Sequence, residues 1–240
     1  MPKYFFFDLD NTLTPSRAPM KPEHAPIFAR LCDERDVVVV TGGAQEQIQK
    51  QIPLSAIGNY VMLSQQGNHA VAKDGTLAWK ETVSPAQEKL VREFAALLTR
   101  ELNLGVEGRD DLFENRGSQL AYSTLGFFES NEKKYAYDPD QSKRRALLAA
   151  HPNELATLRA AGIEAMPAGS TTIDFILAGK NKGFSIARWL TRERWRAEDC
   201  IYFGDALFPG GNDETVIGVI PTRPVKDYEE TFAVLSNMLD

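Results

Sequence analysis

The sequence predicts an α/β fold, a doubly wound and mostly parallel sheet with a smaller α+β unit inserted into the chain. Three stretches carry that reading. Tyr4 to Phe7 is a short apolar run ending in a polar turn that bears two carboxylates, Asp8 and Asp10, and its length and bounding residues mark a buried strand. Val37 to Val40 is a continuous β-branched run ending in Thr41-Gly42-Gly43, the pattern of a strand covered on both faces. Cys200 to Phe203 repeats the arrangement and ends in Gly204-Asp205.

The remaining elements follow in order. Ala25, Phe28, Leu31 and Cys32 recur at helical spacing behind Pro22, so a helix returns the chain to Val37. A second helix is expected from about Ala44 to Ile52, then a strand over Tyr60 to Leu63. His69 to Ala72 and Leu77 to Trp79 read as a hairpin around Lys73-Asp74-Gly75-Thr76. From about Thr82 the pattern changes. Leu90, Val91, Phe94, Leu97 and Leu98 mark an amphipathic helix, with half-polar strands near Leu112 to Arg116 and Gln119 to Leu125. A polar loop is expected over Glu129 to Asp140, helix to about Ala161 with a break at His151-Pro152, and strands over Ile163 to Met166 and Thr171 to Leu177. In the last strand Ile173, Phe175 and Leu177 alternate with Thr172 and Asp174, so one face packs and the other is partly wet. The parallel pattern resumes with a helix carrying Phe184, Ala187 and Leu190, the Cys200 strand, a strand over Val216 to Ile220, and a C-terminal helix through Tyr228, Phe232, Leu235 and Leu239. The expected domains are a core of residues 1–81 and 179–240 and an insert of residues 82–178.

With 240 residues, 43% apolar and 25% charged, the chain is long enough for one core and one insert and has ordinary globular composition. Its 27 Lys and Arg against 33 Asp and Glu leave a formal charge of −6, so neither nucleic acid nor an anionic membrane is expected as a partner. A small anion must be held by local charge. Cys32 and Cys200 are too few for a disulfide framework or a thiolate metal site and read as buried apolar side chains. No apolar run approaches a membrane span, and a soluble, unprocessed, cytoplasmic protein is expected. His24, His69 and His151 are scattered and suggest no metal site, while Lys143-Arg144-Arg145 reads as a solvated helix face.

In open α/β sheets ligands bind beyond the carboxyl ends of the strands, which directs Asp8-Leu9-Asp10, Thr41-Gly42-Gly43 and Gly204-Asp205 to one crevice. Residues two apart in an extended segment point the same way, so Asp8 and Asp10 are expected to converge, and carboxylates in such a group are tolerable around a hard cation such as Mg2+. Thr41 offers a hydroxyl and Gly42 an exposed backbone N–H near a helix start, a phosphate cradle. Lys182 adds a full positive charge, and Asp205 and Asp213 add hard oxygen ligands.

Taken together, DLDNT at Asp8 to Thr12, VVVVTGG at Val37 to Gly43, the GKNKG lysine Lys182, and FGDALFPGGND at Phe203 to Asp213 resemble the four ordered motifs of the haloacid dehalogenase superfamily. The insert is similar to the type IIB cap, and Arg17, Arg116, the Thr172-Ile173-Asp174 triplet and PGGND are similar to the eukaryotic-type phosphomannomutases. The resemblance implies that Asp8 is a nucleophile forming an aspartyl-phosphate and Asp10 the general acid and base. It implies Mg2+ held by Asp8, the Asp10 backbone carbonyl and Asp205, with Asp213 as ligand or neighbour, and the transferring phosphate held by Thr41, Gly42 and Lys182. Arg17, Arg116, Lys134, Thr172 and Asp174 would bind a phosphorylated sugar. Two positions depart from the family, since Phe127 and Lys134 stand where it has arginines. Loss of a bidentate guanidinium weakens a phosphate clamp, which favours hydrolysis of a small phosphorylated metabolite over a phosphomannomutase-like isomerisation. A catalytically silent binding protein on the same scaffold is the remaining alternative, and the intact Asp8, Asp10, Thr41, Lys182 and Asp205 set argues against it.

Overall fold

The structure is a computed structural model that describes residues 2–53, 56 and 58–239. The first stretch of chain forms β1 (Tyr4–Phe7), α1 (Ala25–Glu34), β2 (Asp36–Val40), α2 (Gln45–Gln51), β3 (Val61–Ser64), β4 (His69–Val71) and β5 (Leu77–Lys80). Next come α3 (Pro85–Leu102), β6 (Phe113–Asn115), β7 (Gln119–Ser123), α4 (Asn131–Tyr137), α5 (Ser142–Ala149), α6 (Pro152–Ala160), β8 (Ile163–Ala168) and β9 (Thr172–Leu177). The chain ends with α7 (Lys182–Glu193), β10 (Cys200–Gly204), β11 (Thr222–Pro224) and α8 (Tyr228–Leu239). It divides into two compact units, one formed by the chain up to Lys80 and from Lys180 onward, the other by Glu81–Gly179.

In the first unit the strands run in the order β11-β10-β1-β2-β3-β4-β5. The first five are parallel and β4 and β5 close one edge as an antiparallel hairpin. Strand alternation divides the side chains between two cores. Phe5, Phe7, Val37 and Val39 pack with Phe28 and Leu31 of α1 and Phe232 and Leu235 of α8. Phe6, Val38 and Val40 pack with Ile186 and Trp189 of α7 and with Tyr202. Burying each such side chain contributes roughly 1.5–3 kcal/mol, which is why this sheet is covered on both faces.

Three readings of the sequence are corrected at this point. The packed face of α7 consists of Gly183, Ser185, Ile186, Trp189 and Leu190, whereas Phe184 and Ala187 are exposed. Gly183 and Ser185 share that face with Ile186, Trp189 and Leu190 where neighbouring backbone passes close, and the Ser185 hydroxyl donates to the Gln66 carbonyl at 3.0 Å. Val216 to Ile220 is not a strand. A 3-10 turn over Glu214–Val216 leads into Gly218, whose φ of 86° breaks the run, and the last parallel strand is Thr222–Pro224. The expected loop after Glu129 contains α4, whose cap is Ser130, accepting from the Lys133 N–H at 3.4 Å.

The second unit is a four-stranded antiparallel sheet in the order β6-β7-β9-β8. Leu120, Tyr122, Ile173, Phe175 and Leu177 face a core shared with Val91, Phe94 and Leu98 of α3. That helix begins with a capping box between Ser84 and Gln87, which satisfies two backbone donors that a helix start leaves open. Arg144 is not a solvated residue of a basic face. It is 1% exposed, its Nε donates to Asp138 at 2.7 Å, and Nη1 donates to the carbonyls of Ala168 and Thr172 at 2.5 and 2.8 Å. A periodicity reading cannot separate Arg144 from its exposed neighbours, because only the fold supplies Asp138 and the β8–β9 turn.

Removing one member of a buried ion pair strands the other's charge and costs about 3–5 kcal/mol. Urea unfolding should therefore show Arg144→Met destabilised by an amount in that range, while Arg145→Met at the exposed neighbour should move stability by no more than about 0.5 kcal/mol.

Candidate active site

The parallel strand ends build the site. The Asp8 N–H donates to the Phe203 carbonyl at 2.9 Å, joining the end of β1 to β10, and Asp8 as a whole is 4% exposed. Lys182 opens α7 behind Asn181, whose side chain accepts from the Phe184 N–H at 3.0 Å. Gly183 is required next. A Cβ there would lie 1.9 Å from the Thr215 carbonyl oxygen, so only glycine lets the helix start against the turn that follows Asp213. The result is a fully buried lysine whose ammonium donates to Asp8 Oδ1 at 2.5 Å and to Asp213 Oδ1 at 2.6 Å. Tyr202 completes the cluster by donating its hydroxyl to Asp213 Oδ1 at 2.6 Å, and the Ala206 N–H reaches Asp213 Oδ2 at 3.2 Å. Gly204 has the same kind of role as Gly183, since a Cβ would fall 2.4 Å from Asp213 Oδ2.

Asp205 is held more loosely. Its oxygens accept from Asn11 Nδ2 and Thr12 Oγ1, both at 3.4 Å, distances at which hydrogen bonds are weak, so its lone pairs are available to another ligand. One oxygen each from Asp8, Asp205 and Asp213 lie within 4.8 Å of one another. Three carboxylates and the single ammonium of Lys182 leave two negative charges uncompensated, and hard oxygen donors at that spacing fit a divalent cation. The electrostatics agree. Burial pushes Asp8 up to about 7, with Lys182 opposing and Asp213 and Asp205 adding to the rise. Asp205 is also raised, by burial and then by Asp213. Burial acts to lower Lys182, but the Asp213 and Asp8 carboxylates outweigh it and keep the ammonium charged.

Asp8 and Asp10 do not share their partners. The charges that most disfavour an ionised Asp8 are those of Asp213 and Asp205. Asp10 instead accepts from the Arg17 N–H at 2.6 Å, Gln47 Nε2 at 2.8 Å and Gln51 Nε2 at 3.1 Å. The chain bends directly after Asp10, through Asn11 at φ 60°. Thr41 is buried at the end of β2, and its Oγ1 accepts from the Gly43 N–H at 3.1 Å. Gly42 passes close to Gln66, whose Nε2 would lie 2.9 Å from a Cβ.

No family model matches the sequence. A phosphomannomutase of Triticum aestivum is 25% identical over 217 residues, covering 88% of this chain and 84% of the relative. Among solved structures, a haloacid dehalogenase-like hydrolase of Bacteroides thetaiotaomicron superposes with a TM-score of 0.70 at 12% identity, covering 99% of this chain and 100% of the other. The fold is that of the haloacid dehalogenases. An IMP-nucleotidase of Plasmodium falciparum, bound to IMP, gives a TM-score of 0.68 at 15% identity over 99% of this chain and 68% of its own. In sequence the chain resembles the phosphomannomutases.

Among the other expected site residues, Arg17 is exposed on the first unit and meets Asp10 through its backbone. Those of the second unit already have partners there. Arg116 donates Nε and Nη2 to Glu114 at 2.9 and 2.7 Å and lies 5.8 Å from the centroid of the Phe127 ring. Lys134 donates to the Phe127 carbonyl at 2.5 Å. Asp174 accepts from Gln119 Nε2 at 2.6 Å, and Thr172, half-buried at the start of β9, offers its carbonyl to Arg144. Among the described residues no helix is long and apolar enough to cross a membrane.

Tyr202, Gln47 and Gln51 were not legible as site residues. Tyr202 sits in an apolar strand and reads as one more core aromatic. The two glutamines carried a signal, because a spacing of four directly after Thr41-Gly42-Gly43 sets them on one face of the helix leaving that turn.

The raised carboxyls set the pH dependence of stability. Folding lifts Asp8 from 3.8 to about 7, so the folded state binds its proton more tightly than the unfolded one, and the metal-free protein loses stability as pH rises through that window. A cation that binds the ionised carboxylates works against this loss. Thermal unfolding followed with and without MgCl2 should show a larger rise in Tm at pH 7.5 than at pH 5, and Asp8→Asn should reduce the difference.

Proposed function

We propose that this protein is a Mg2+-dependent phosphohydrolase acting on a small phosphorylated metabolite, a sugar phosphate, through an aspartyl-phosphate. The observation that carries the reading is the buried Asp8 carboxylate, gripped by Lys182 beside Asp205 and Asp213. The relatives include phosphatases and phosphomannomutases, which supports an enzyme of phosphoryl transfer. With Cys32 and Cys200 both free and buried, a cytoplasmic setting suits the chain.

In this mechanism a carboxylate oxygen of Asp8 attacks phosphorus while the bond from phosphorus to the leaving oxygen breaks, and Asp10 gives that oxygen its proton. Water then attacks the aspartyl-phosphate at phosphorus, Asp10 takes the water's proton, and the phosphorus–oxygen bond to Asp8 breaks. Inorganic phosphate leaves and both carboxyl groups return to their starting forms. Lys182 balances the charge of Asp8 and of the transferring group, with Asp213 and Tyr202 holding it in place. Thr41 and Gly42 cradle the phosphate oxygens. Mg2+ held by Asp8, Asp205 and the Asp10 carbonyl, with Asp213 close behind, would screen the repulsion between carboxylate and phosphate. On the second unit Arg116, Lys134, Thr172 and Asp174, with Arg17 on the core, are assigned to the sugar.

A phosphomannomutase-like isomerase is the second reading, favoured by the 25% identity to the wheat enzyme. Phe127 and Lys134 weigh against it. The phenylalanine carries no charge, and the Lys134 ammonium is bound to the Phe127 carbonyl, so neither supplies the bidentate grip that would retain a bisphosphorylated sugar.

Asp8→Asn should fold normally and release no phosphate from p-nitrophenyl phosphate or from sugar phosphates above background. Turnover by a folded Asp8→Asn protein would remove Asp8 from the nucleophile's role. The wild type should release inorganic phosphate from sugar phosphates with little isomer formed, both followed by NMR in one reaction. Phe127→Arg combined with Lys134→Arg should tighten phosphosugar binding by roughly tenfold, about the worth of one charge-assisted hydrogen bond, and shift the balance toward isomer. Efficient isomerisation by the unmodified protein would establish the second reading in place of the first.

A further inference from the structure

The surroundings of Asp10 are more specific than a surface carboxylate requires. Gln47 Nε2 meets Oδ2 at 2.8 Å, Gln51 Nε2 meets Oδ1 at 3.1 Å, and the Arg17 N–H meets Oδ1 at 2.6 Å. The two glutamines lie one turn apart on α2, where residues i and i+4 share a face. Gln51 is 3% exposed, and its amide also donates to Thr14 Oγ1 at 2.6 Å, which fixes the orientation of the NH2 group. Its backbone carbonyl accepts the Met20 N–H at 2.7 Å, so the loop carrying Arg17 is tied to the same helix. A polar amide buried at that depth within a helix is unfavourable without such partners, and packing alone would be better served by leucine.

We propose that Gln47 and Gln51 are positioning residues for Asp10. They set the direction in which its carboxyl faces the leaving oxygen, so that the helix beginning at the phosphate cradle also aims the acid and base. The inference rests on the proposed role of Asp10 as general acid. It separates the two carboxylates of the opening turn by their supports, lysine for Asp8 and a pair of amides for Asp10.

The test compares p-nitrophenyl phosphate with phenyl phosphate, which are similar in shape but differ in their need for a proton on the departing oxygen. Asp10→Asn should lower kcat/KM for phenyl phosphate at least about 100-fold more than for p-nitrophenyl phosphate, the loss expected when a general acid is removed. Gln47→Leu and Gln51→Leu should show the same selectivity at roughly tenfold, with little change in KM. Gln47 is only half-buried, so its variant keeps the test valid if Gln51→Leu folds poorly. Equal losses on both substrates in the folded Gln47→Leu protein, beside a selective loss in Asp10→Asn, would overturn this inference and leave the role of Asp10 standing. No selectivity in Asp10→Asn would overturn both, while the outcome for Asp8→Asn bears on the nucleophile alone.

Discussion

The ammonium of Lys182 is buried between the carboxylates of Asp8 and Asp213, and most of the core's architecture is needed to make that burial tolerable. A charge removed from water is costly unless paired and hydrogen-bonded. Here the pairing requires four segments at once: the end of β1 for Asp8, the middle of β10 for Tyr202, the loop from Asp205 to Asp213, and the first residue of α7 for the lysine itself. Gly183 and Gly204 are part of the same constraint, because a methyl group at either would collide with the turn after Asp213 or with its carboxylate. The cluster is therefore a junction of the doubly wound sheet as well as a candidate site.

The opening turn gives two carboxylates, two residues apart, different surroundings. Asp8 is buried against a cation and two like charges, whereas Asp10 is ringed by amide donors from α2 and a backbone N–H from the Arg17 loop. Pairs of titratable groups placed in contrasting environments are how one site supports distinct acid, base and nucleophilic roles. The left-handed Asn11 ends the extended geometry immediately after Asp10.

In the second unit three cationic side chains are tied down within the unit itself. Arg116 is paired with Glu114, Lys134 with the Phe127 carbonyl, and Arg144 with Asp138 and the β8–β9 turn. Arg144 binds the Thr172 carbonyl, so the start of the strand bearing Thr172 and Asp174 is braced from behind.

What the sequence by itself determined was the fold class, four of the five parallel strands and the residues at their ends, because those signals are local: apolar runs of strand length, turn residues, and acidic or small residues directly after them. Asp8, Thr41 and Asp205 were legible for that reason, and Lys182 through the GKNKG motif. Tertiary structure alone decided which of these groups touch. Lys182 and Asp8 are separated by 174 residues in sequence, and no periodicity reports such a pairing. The same holds for Tyr202, Gln47, Gln51 and Arg144, ordinary strand or helix residues until the fold sets a carboxylate beside them. Local pattern also failed where close backbone approach, rather than apolar burial, chose the residue. At residue 183 a Cβ would meet the Thr215 carbonyl, so glycine rather than an apolar side chain begins the packed face of α7.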